Sequence, residues 1–172
     1  MKKWILLLVI QLGFFAGWYG LNQHYWNTSP TVRLELGPID PYDPIRGRYF
    51  ILNPKINQET EKAFKQTGIE KEQWFYLIVK NDAEGIARFK RIVREKPSGL
   101  ALSEYAIRAK CGYQWRNEVD MNVERFYLPS QLQLPHKESE EGWEVEVLIR
   151  PDGSAAPKAL LFKGEYVYPK KS

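Results

Sequence analysis

The chain has 172 residues, of which 44% are hydrophobic, 27% are charged and 14% are aromatic, and its formal net charge is +4. This composition excludes a collagen, a disordered tail and a low-complexity array, and it favours a packed core. One cysteine excludes an intrachain disulfide framework, and two histidines are too few for most histidine-rich metal sites. Residues 30–172 carry 23 basic and 21 acidic side chains, a balance that argues against nucleic-acid binding.

The first residues have the pattern of a membrane anchor. Two lysines precede 18 uncharged positions, residues 4–21, which is near the lower length limit of a spanning helix. A helix from Trp4 to Trp26 is about 33 Å long, which matches a hydrocarbon core of about 30 Å with aromatic rings at both interfaces. A cleaved signal peptide is the alternative, although bulky rings interrupt the small residues over 16–20 that a cleavage site needs.

The charges at the start of the chain predict its topology. Lys2 and Lys3 have no acidic neighbour, so the positive-inside tendency places the N-terminus in the cytoplasm. The sequence therefore predicts a single-pass protein of the cell membrane whose C-terminal domain lies on the extracytoplasmic side, in the cell envelope. Its predicted parts are a cytoplasmic start and transmembrane anchor over 1–26, a linker over 27–30 and an extracytoplasmic β-rich domain over 31–172.

The anchor also carries a pair of small residues. Gly13 and Gly17 are four positions apart, a spacing that lets two helices approach closely in a membrane. We therefore predict a helix-mediated dimer or a contact with a partner helix through these two glycines. The alternative is that they face membrane lipid, because glycine is frequent in membrane helices.

The predicted elements of the domain follow in chain order. Alternating apolar residues predict a strand at 31–37, and prolines then break the chain before an extended run at 48–53. A short surface helix over 58–67, capped by Asn57 and followed by Gly68, comes next. Separated by turn residues, the later strands are predicted at 74–80, 86–94, 102–110, 122–128, 144–150, 159–162 and 166–168.

About nine short strands, with turn signals roughly every ten residues, predict a mainly β fold. We expect an antiparallel sandwich or a set of barrel-like sheets, with one N-terminal transmembrane helix and one short surface helix. Helices do not alternate with the strands, which argues against a parallel sheet.

The densest chemistry lies in the proline-broken segment. Asp40 and Asp43 are three positions apart, and Arg46, Gly47 and Tyr49 follow them closely. The pattern fits a rigid turn whose carboxylates accept backbone N–H groups and whose arginine binds a carboxylate. It also fits a binding surface or an acid/base pair. We treat these five residues as a binding or structural motif, and the spacing supplies no third oxygen ligand for a metal.

A second candidate surface lies on the strand after the hairpin turn. Arg88, Lys90, Arg94 and Lys96 share one parity of this strand, whereas the other parity is largely apolar, with Arg91 as the exception. The pattern predicts a basic face. That face is either solvated or in contact with anionic headgroups or an acidic partner.

No catalytic constellation is apparent in the sequence. Cys111 has no predicted histidine neighbour, because His24 lies at the membrane edge and His136 lies in a loop. No nucleophile-elbow motif and no glycine-rich phosphate-binding motif occurs. The sequence therefore predicts no cofactor and no metal, and it favours a non-catalytic protein.

The segment from residue 40 to residue 52 resembles the signature of the GDYXXLXY family, which consists of small, uncharacterised, membrane-anchored proteins. In that signature, an Asp-Pro-x-Asp loop leads into Arg-Gly-Asp-Tyr and an alternating strand. Arg48 stands where the signature has its named Asp, and Pro54 stands where it has its last Tyr. The positions that match are Asp40, Pro41, Asp43, Arg46, Gly47, Tyr49 and Leu52.

Two later segments strengthen the resemblance. Residues 124–129, an aromatic pair leading into a proline, are similar to the second recurrent stretch of the family, and the turn at Asp152 and Gly153 is similar to its closing turn. The replaced Asp argues against an essential acid at position 48. That departure shifts the interest of the motif to Arg46 and Tyr49 as structural or contact residues.

Two functional hypotheses follow. The resemblance implies no known activity, and members of this kind look like accessories to multi-span membrane proteins. The first hypothesis is therefore a non-catalytic binding or accessory module for an integral membrane partner. The second is an envelope hydrolase in which Asp40 and Asp43 divide the acid and base roles and Arg46 clamps an anion.

Overall fold

The computed structural model describes residues 2–37, 49–67, 69, 73–111, 119–129 and 141–169. The chain divides into two compact units, Met1–Pro30 and Thr31–Ser172. The first unit is a single helix. The second contains the sheets, and the candidate sites lie in it.

The first unit is the helix α1, Lys2–Thr28. The stretch Lys3–Thr28 is long and apolar enough to cross a membrane, and its apolar window is not buried against other parts of the chain. Residues 27 and 28, expected in the linker, belong to the helix. The hydroxyl of Thr28 donates to the carbonyl of His24 at 2.8 Å, and the N–H of Ser29 donates to the carbonyl of Tyr25 at 3.0 Å. These bonds satisfy the carbonyl groups of the last turn and extend the helix.

The second unit contains a short helix, α2 (Ile56–Thr67), and strands β1 to β10 in its described residues. The strands are β1 (Thr31–Glu35), β2 (Tyr49–Ile51), β3 (Trp74–Asn81), β4 (Ala87–Val93), β5 (Glu104–Cys111), β6 (Val119–Asp120), β7 (Arg125–Tyr127), β8 (Trp143–Ile149), β9 (Ala155–Phe162) and β10 (Glu165–Tyr168).

The strands form three sheets in which every pair of neighbouring strands is antiparallel. One four-stranded sheet has the order β1-β8-β9-β10, the second has the order β4-β3-β5-β6, and β2 pairs with β7. An isolated parallel bridge between Arg33 and Ile86 joins the edges of the two larger sheets. The predicted mainly β class, with one long apolar helix and one short helix, is confirmed.

Strand β8 is buried on both faces, although its alternation predicted one buried face. Glu144 and Glu146 are buried together with the valines between them. A guanidinium N–H of Arg33 donates to Glu144 at 3.2 Å, and the hydroxyl of Tyr166 donates to Glu146 at 2.8 Å. Because each carboxylate has a polar partner, the cost of burying it is reduced.

The predicted hairpin of β3 and β4 contains an irregularity. The pairing shifts register between Ile78 and Val79. Phe89 lies before the shift along β4 and Ile92 lies after it, and both are half-buried. An extra residue in a strand reverses the parity of the positions beyond it. The shift therefore explains why the exposed Arg91 breaks the predicted alternation.

Helix α2 begins two residues earlier than predicted, at Ile56. Asn57 therefore lies inside the first turn, and its assignment as the cap is wrong. Both residues are buried, with exposed fractions of 7%, so packing of the first turn decides where the helix begins. The N–H of Asn57 donates to the carbonyl of Pro54 at 3.0 Å. The predicted C-terminal Gly68 lies outside the described residues.

In the C-terminal half of the chain, one predicted strand begins earlier than expected and one strand was not predicted. Strand β9 begins at Ala155 rather than at residue 159, and it contains Pro157. The pairing of β8 with β9 shifts between Glu146 and Val147, and Pro157 lies opposite Val147. A proline is tolerated in a strand at such an irregularity, where a ladder hydrogen bond is already missing. The short strand β6 was not predicted.

The core of the second unit is built from both larger sheets. Trp143 on β8 and Phe75 on β3 are its largest side chains, and both are fully buried. The ring of Trp143 packs edge-on against Phe162, with centroids 5.1 Å apart. This core fixes the two ends of β1, where Thr31 lies opposite Leu148 and Glu35 lies opposite Glu144.

Candidate functional site

The two segments that resemble family stretches are direct neighbours in the fold. Strand β2 follows the proline-broken segment and pairs with β7, so that Tyr49 lies opposite Tyr127. The N–H of Leu52 donates to the carbonyl of Glu124 at 2.8 Å and continues this pairing. The sequence predicted both extended runs. It contained no signal that they are partners.

Backbone contacts join the chain on either side of the proline-broken segment. The N–H of Gly37 donates to the carbonyl of Asn53 at 2.8 Å, and Leu36 forms an antiparallel bridge with Pro54. These contacts hold together the residues that flank positions 38–48, which themselves lie outside the described part of the chain.

Four of the five predicted motif residues lie outside the described part of the chain. The fifth, Tyr49, begins β2, and only its backbone is described. The prediction of a binding or structural motif in this segment therefore stays a prediction. The four residues outside the description are Asp40, Asp43, Arg46 and Gly47.

A cavity of about 470 Å³ lies beside Gly37 and Asn53. Its walls come from the end of β1, the start of α2 and the start of β4. Both signs of charge line it. Its charged lining residues are Glu35, Lys55, Glu59, Lys62 and Arg88.

Glu35 is the acidic centre of this cavity. The ammonium of Lys55 donates to one of its carboxylate oxygens at 2.5 Å, and the guanidinium of Arg88 donates to the other at 2.8 Å. The hydrogen bond from Lys55 is the main cause that lowers the pKa of Glu35 below its ordinary value, and Arg88 adds to the effect. An ionised carboxylate held by two cations is a poor proton acceptor at neutral pH, so this group is unsuited to be a general base.

Asp82 in the hairpin turn holds Arg88 from the other side. Its carboxylate accepts the N–H groups of Ile86 at 2.9 Å and Glu84 at 3.0 Å, and the guanidinium of Arg88 at 2.9 Å. The bond from Ile86 is the main cause that lowers the pKa of Asp82. Arg88 is therefore fixed between two carboxylates, Asp82 and Glu35, and its own pKa is raised, chiefly by Asp82.

The basic face predicted on β4 is largely used inside the domain. Lys90 donates to Glu104, and Arg91 lies 3.7 Å from the other oxygen of the same carboxylate. Arg94 donates to the carbonyl of Thr67 at 3.1 Å. Together with the bonds of Arg88, these contacts pair the cations with protein groups, although the side chains of Arg88, Lys90 and Arg91 remain 44–50% exposed.

A carboxyl pair adjoins the paired strands β2 and β7. Glu124 accepts the N–H of Met121 at 2.7 Å and is hydrogen-bonded to Asp120. Burial is the main cause that raises the pKa of Glu124, and the charge of Asp120 raises it further. A raised pKa favours the protonated form, which can donate to Asp120. The sequence pattern gave no sign of this pair, although Glu124 begins the second family stretch.

The described residues contain no group of three or more metal-ligating side chains. Cys111 ends β5, and nothing is described of its side chain. His24 lies in α1, with its ring centroid 6.0 Å from that of Tyr25, and His136 is outside the description.

Taken together, these features define a β-rich domain that is preceded by an apolar helix and carries a charged cavity. The sequence model of the GDYXXLXY protein family matches residues 11–160, and the chain belongs to that family. No curated protein matches the chain. No solved structure matches it either.

Proposed function

We propose that this protein is a membrane-anchored, non-catalytic binding module that serves an integral membrane protein. In this proposal α1 is an uncleaved single-pass anchor with its N-terminus in the cytoplasm. The β-rich domain then lies on the extracytoplasmic side. The charged cavity lined by Glu35, Lys55 and Arg88 contacts the partner.

The observation that carries the proposal is the exposed apolar surface of α1. Its apolar side chains are exposed with respect to the rest of the chain, including Trp4 at 76% and Phe14 at 67%. A soluble domain would leave such a surface in water at a large free-energy cost, since burying a large apolar side chain contributes about 1.5–3 kcal/mol. Lipid or a partner helix removes this cost. Lys2 and Lys3 at its start support the cytoplasmic orientation.

The glycines of α1 support a helix partner. A Cβ at Gly13 or Gly17 would meet nothing within 4 Å in this chain. The two positions lie one helical turn apart on the same side of α1, where small residues let a second backbone approach. The second helix belongs either to the partner protein or to another copy of this chain.

The charged cavity supports the binding role of the domain. Arg88 and Lys55 are held in place by Glu35, and Glu59 and Lys62 stand exposed on the neighbouring turns of α2. Fixed charges of both signs favour a polar partner segment with complementary charges. None of the described contacts in the cavity places a nucleophile beside a base, which favours binding over catalysis.

The test is site-specific photocrosslinking in native membranes. A photoreactive amino acid at Gln58, an exposed residue in the cavity wall, should join the chain to one integral membrane protein identified by mass spectrometry. The same amino acid at Ser98, exposed in another loop, should give no adduct with that protein. Equal capture from both positions, or none from either, would overturn the proposed use of the cavity.

A charge reversal sharpens the same test. Lys62→Glu in the cavity wall should reduce the adduct formed from Gln58, because it reverses a charge that faces the partner. Lys80→Glu makes the same charge change at an exposed residue of β3 and should leave the adduct unchanged. Equal loss with both variants would point to net charge rather than to the cavity.

Two variants distinguish the hydrolase hypothesis from the binding proposal. Under the binding proposal, Asp40→Asn and Asp43→Asn should keep the crosslinked partner at the wild-type level if the protein remains folded. If both variants fold and capture the partner, yet abolish the cellular phenotype of the protein, the acid/base role of Asp40 and Asp43 is supported instead.

A further inference from the structure

A second, smaller cavity of about 200 Å³ lies at the other end of the sheets, where β1 begins. Ala155 in its wall pairs with Ile149 of β8, next to Leu148, which pairs with Thr31. The N–H of Arg108 donates to the carbonyl of Gly153 at 2.7 Å, so β5 of the other sheet meets the same edge. This cavity therefore lies at the same end of the sheets as Thr31, the first residue of the domain, with strand β8 between Thr31 and Ala155.

An exposed tryptophan between two cations forms its outer wall. Trp74 is 54% exposed, although it begins a strand whose centre is fully buried. The guanidinium carbon of Arg108 lies 4.8 Å from the centroid of its ring, and the ammonium of Lys110 lies 5.5 Å from it. The cations are attracted to the face of the ring and hold it in this exposed position.

Within the described residues, the two cations of this cluster differ in their ion pairing. Arg108 lies 3.6 Å from Asp152. Asp120 is the register partner of Lys110, but its carboxylate accepts the N–H of Asn122 at 2.9 Å and is hydrogen-bonded to Glu124. In the described part of the chain, Lys110 makes no ion pair. Its charge therefore remains available to an external anion.

The position of the cluster along the chain points to the anion. Only Ser29 and Pro30 stand between the end of α1 and Thr31. If α1 spans the membrane, two extended residues keep Thr31 within about 10 Å of the end of the helix. The edge of the domain that begins at Thr31 then lies near the headgroup layer, where tryptophan rings and cations are favoured.

We propose that Trp74, Arg108 and Lys110 bind the phosphate groups of an anionic phospholipid surface and thereby hold the domain against the bilayer. The inference rests on the proposed membrane anchoring by α1. The indole ring inserts at the level of the headgroups, and the two cations donate to lipid phosphate oxygens.

The test uses the full chain reconstituted in lipid vesicles that carry a fixed fraction of lipid with a nitroxide on its headgroup. Quenching of Trp74 is the difference in quenched fluorescence between the wild type and Trp74→Phe, because the chain has 6 tryptophans. This difference should increase when phosphatidylcholine is replaced by phosphatidylglycerol. Arg108→Gln with Lys110→Gln should abolish the increase.

A matched control removes the same kinds of charge elsewhere. Lys80→Gln with Arg125→Gln neutralises one lysine and one arginine that are exposed on other strands, and it should keep the increase. Lys110→Glu is a second cluster variant, with circular dichroism as the check that each variant is folded. If the folded cluster variants respond to phosphatidylglycerol like the wild type, the proposal is wrong.

Two further measurements distinguish a lipid surface from a soluble anion and test the anchor separately. Inorganic phosphate at the ionic strength of a chloride control should not displace Trp74 from the surface. Selective displacement by phosphate would overturn the lipid assignment in favour of a soluble anion. The vesicles contain no partner protein, so failure of the crosslinking experiment would leave this result standing. Failure of the chain to remain with the vesicles on flotation would instead reject the anchor.

Discussion

Leu52 donates its backbone N–H to the carbonyl oxygen of Glu124, with 2.8 Å between nitrogen and oxygen. This bond joins the end of one segment that resembles the family signature to the beginning of the other. Strands β2 and β7 continue the contact, with Phe50 opposite Phe126. The described parts of the two family segments therefore form one structural element.

The first prediction concerns the anchoring of this element in the core. Phe126 is 5% exposed, and its ring packs edge-on against Tyr168 at 6.1 Å between centroids. Phe126→Ala should lower the free energy of unfolding by about 3 kcal/mol, because it leaves a cavity. Tyr127→Ala, at the neighbouring exposed position, should cost less than about 1 kcal/mol. Urea unfolding of the full chain in detergent, followed by circular dichroism, measures both, and equal losses would contradict the assignment.

The second prediction concerns the turn between β8 and β9. Gly153 has a φ of +85°, and a Cβ there would lie 2.8 Å from a ring carbon of Tyr76 and 3.3 Å from the carbonyl oxygen of Ala106. Gly153→Ala should therefore destabilise the domain by about 2 kcal/mol, through backbone strain and crowding.

A matched glycine provides the control for this turn. A Cβ at Gly99 would meet nothing within 4 Å. Gly99→Ala should leave the free energy of unfolding unchanged or raise it by about 0.5 kcal/mol, since alanine restricts the unfolded chain. Thermal unfolding of the two variants compares them directly. A similar loss for both would show that Gly153 is not under steric constraint.

The third prediction is an acid-dependent loss of stability through Glu35. Its pKa is lowered in the folded state, chiefly by the hydrogen bond from Lys55, so the folded chain holds this proton less tightly than the unfolded chain. The stabilisation is then present above the ordinary pKa of 4.5 and is lost as the pH falls through the folded-state value. Glu35→Gln should destabilise the protein by about 1 kcal/mol at neutral pH and by progressively less in acid.

Unfolding curves of Glu35→Gln and the wild type across this pH range test the sign. The difference in free energy of unfolding should shrink as the pH falls below 4.5. A difference that is the same at neutral and acidic pH would mean that the variant acts through packing rather than through the charge of Glu35.

The fourth prediction has the opposite sign and concerns Glu124. Its pKa is raised in the folded state, chiefly by burial, so the folded chain retains a proton that the unfolded chain releases above pH 4.5. This residue therefore lowers the stability as the pH rises from 4.5 through the folded-state pKa. Glu124→Gln keeps an oxygen acceptor for Met121 and cannot ionise. It should gain stability relative to the wild type as the pH rises.

The same titration of unfolding free energies checks the behaviour of Glu124. The two proteins should be closest at the acidic end of the range, where the wild-type carboxyl is protonated in both the folded and unfolded chains. If the difference in free energy of unfolding between the wild type and Glu124→Gln is the same at every pH, the raised pKa of Glu124 is contradicted. Asp120→Asn should reduce the pH dependence, because the charge of Asp120 contributes to the shift.

The local sequence was sufficient to predict several elements of this fold. Alternation of Val32, Leu34 and Leu36 predicted β1, since side chains of a strand point to opposite faces in turn, and these three residues are buried. The turn around Gly85 predicted the hairpin of β3 and β4, because glycine adopts its φ of +77° without strain. These features depend on neighbours along the chain.

Other features of the fold depended on contacts between residues that are distant in sequence. The alternation in β8 predicted a polar face at Glu144 and Glu146, yet both are buried because Arg33 and Tyr166 reach them. In the same way, the position of Asn57 was predicted from cap preference, whereas packing of Ile56 decided the start of α2. Local preferences contribute small energies that burial in a core can outweigh.

By itself, the sequence determined the apolar helix, the mainly β character of the domain and the family signature, because each follows from composition, short-range periodicity or a local motif. Only the tertiary structure decided that β2 pairs with β7, that Glu35 lies between Lys55 and Arg88, and that Trp74 lies beside Lys110. The physical reason is that an extended segment specifies which side chains share a face. It does not specify which distant strand supplies the hydrogen bonds and charges that complete that face.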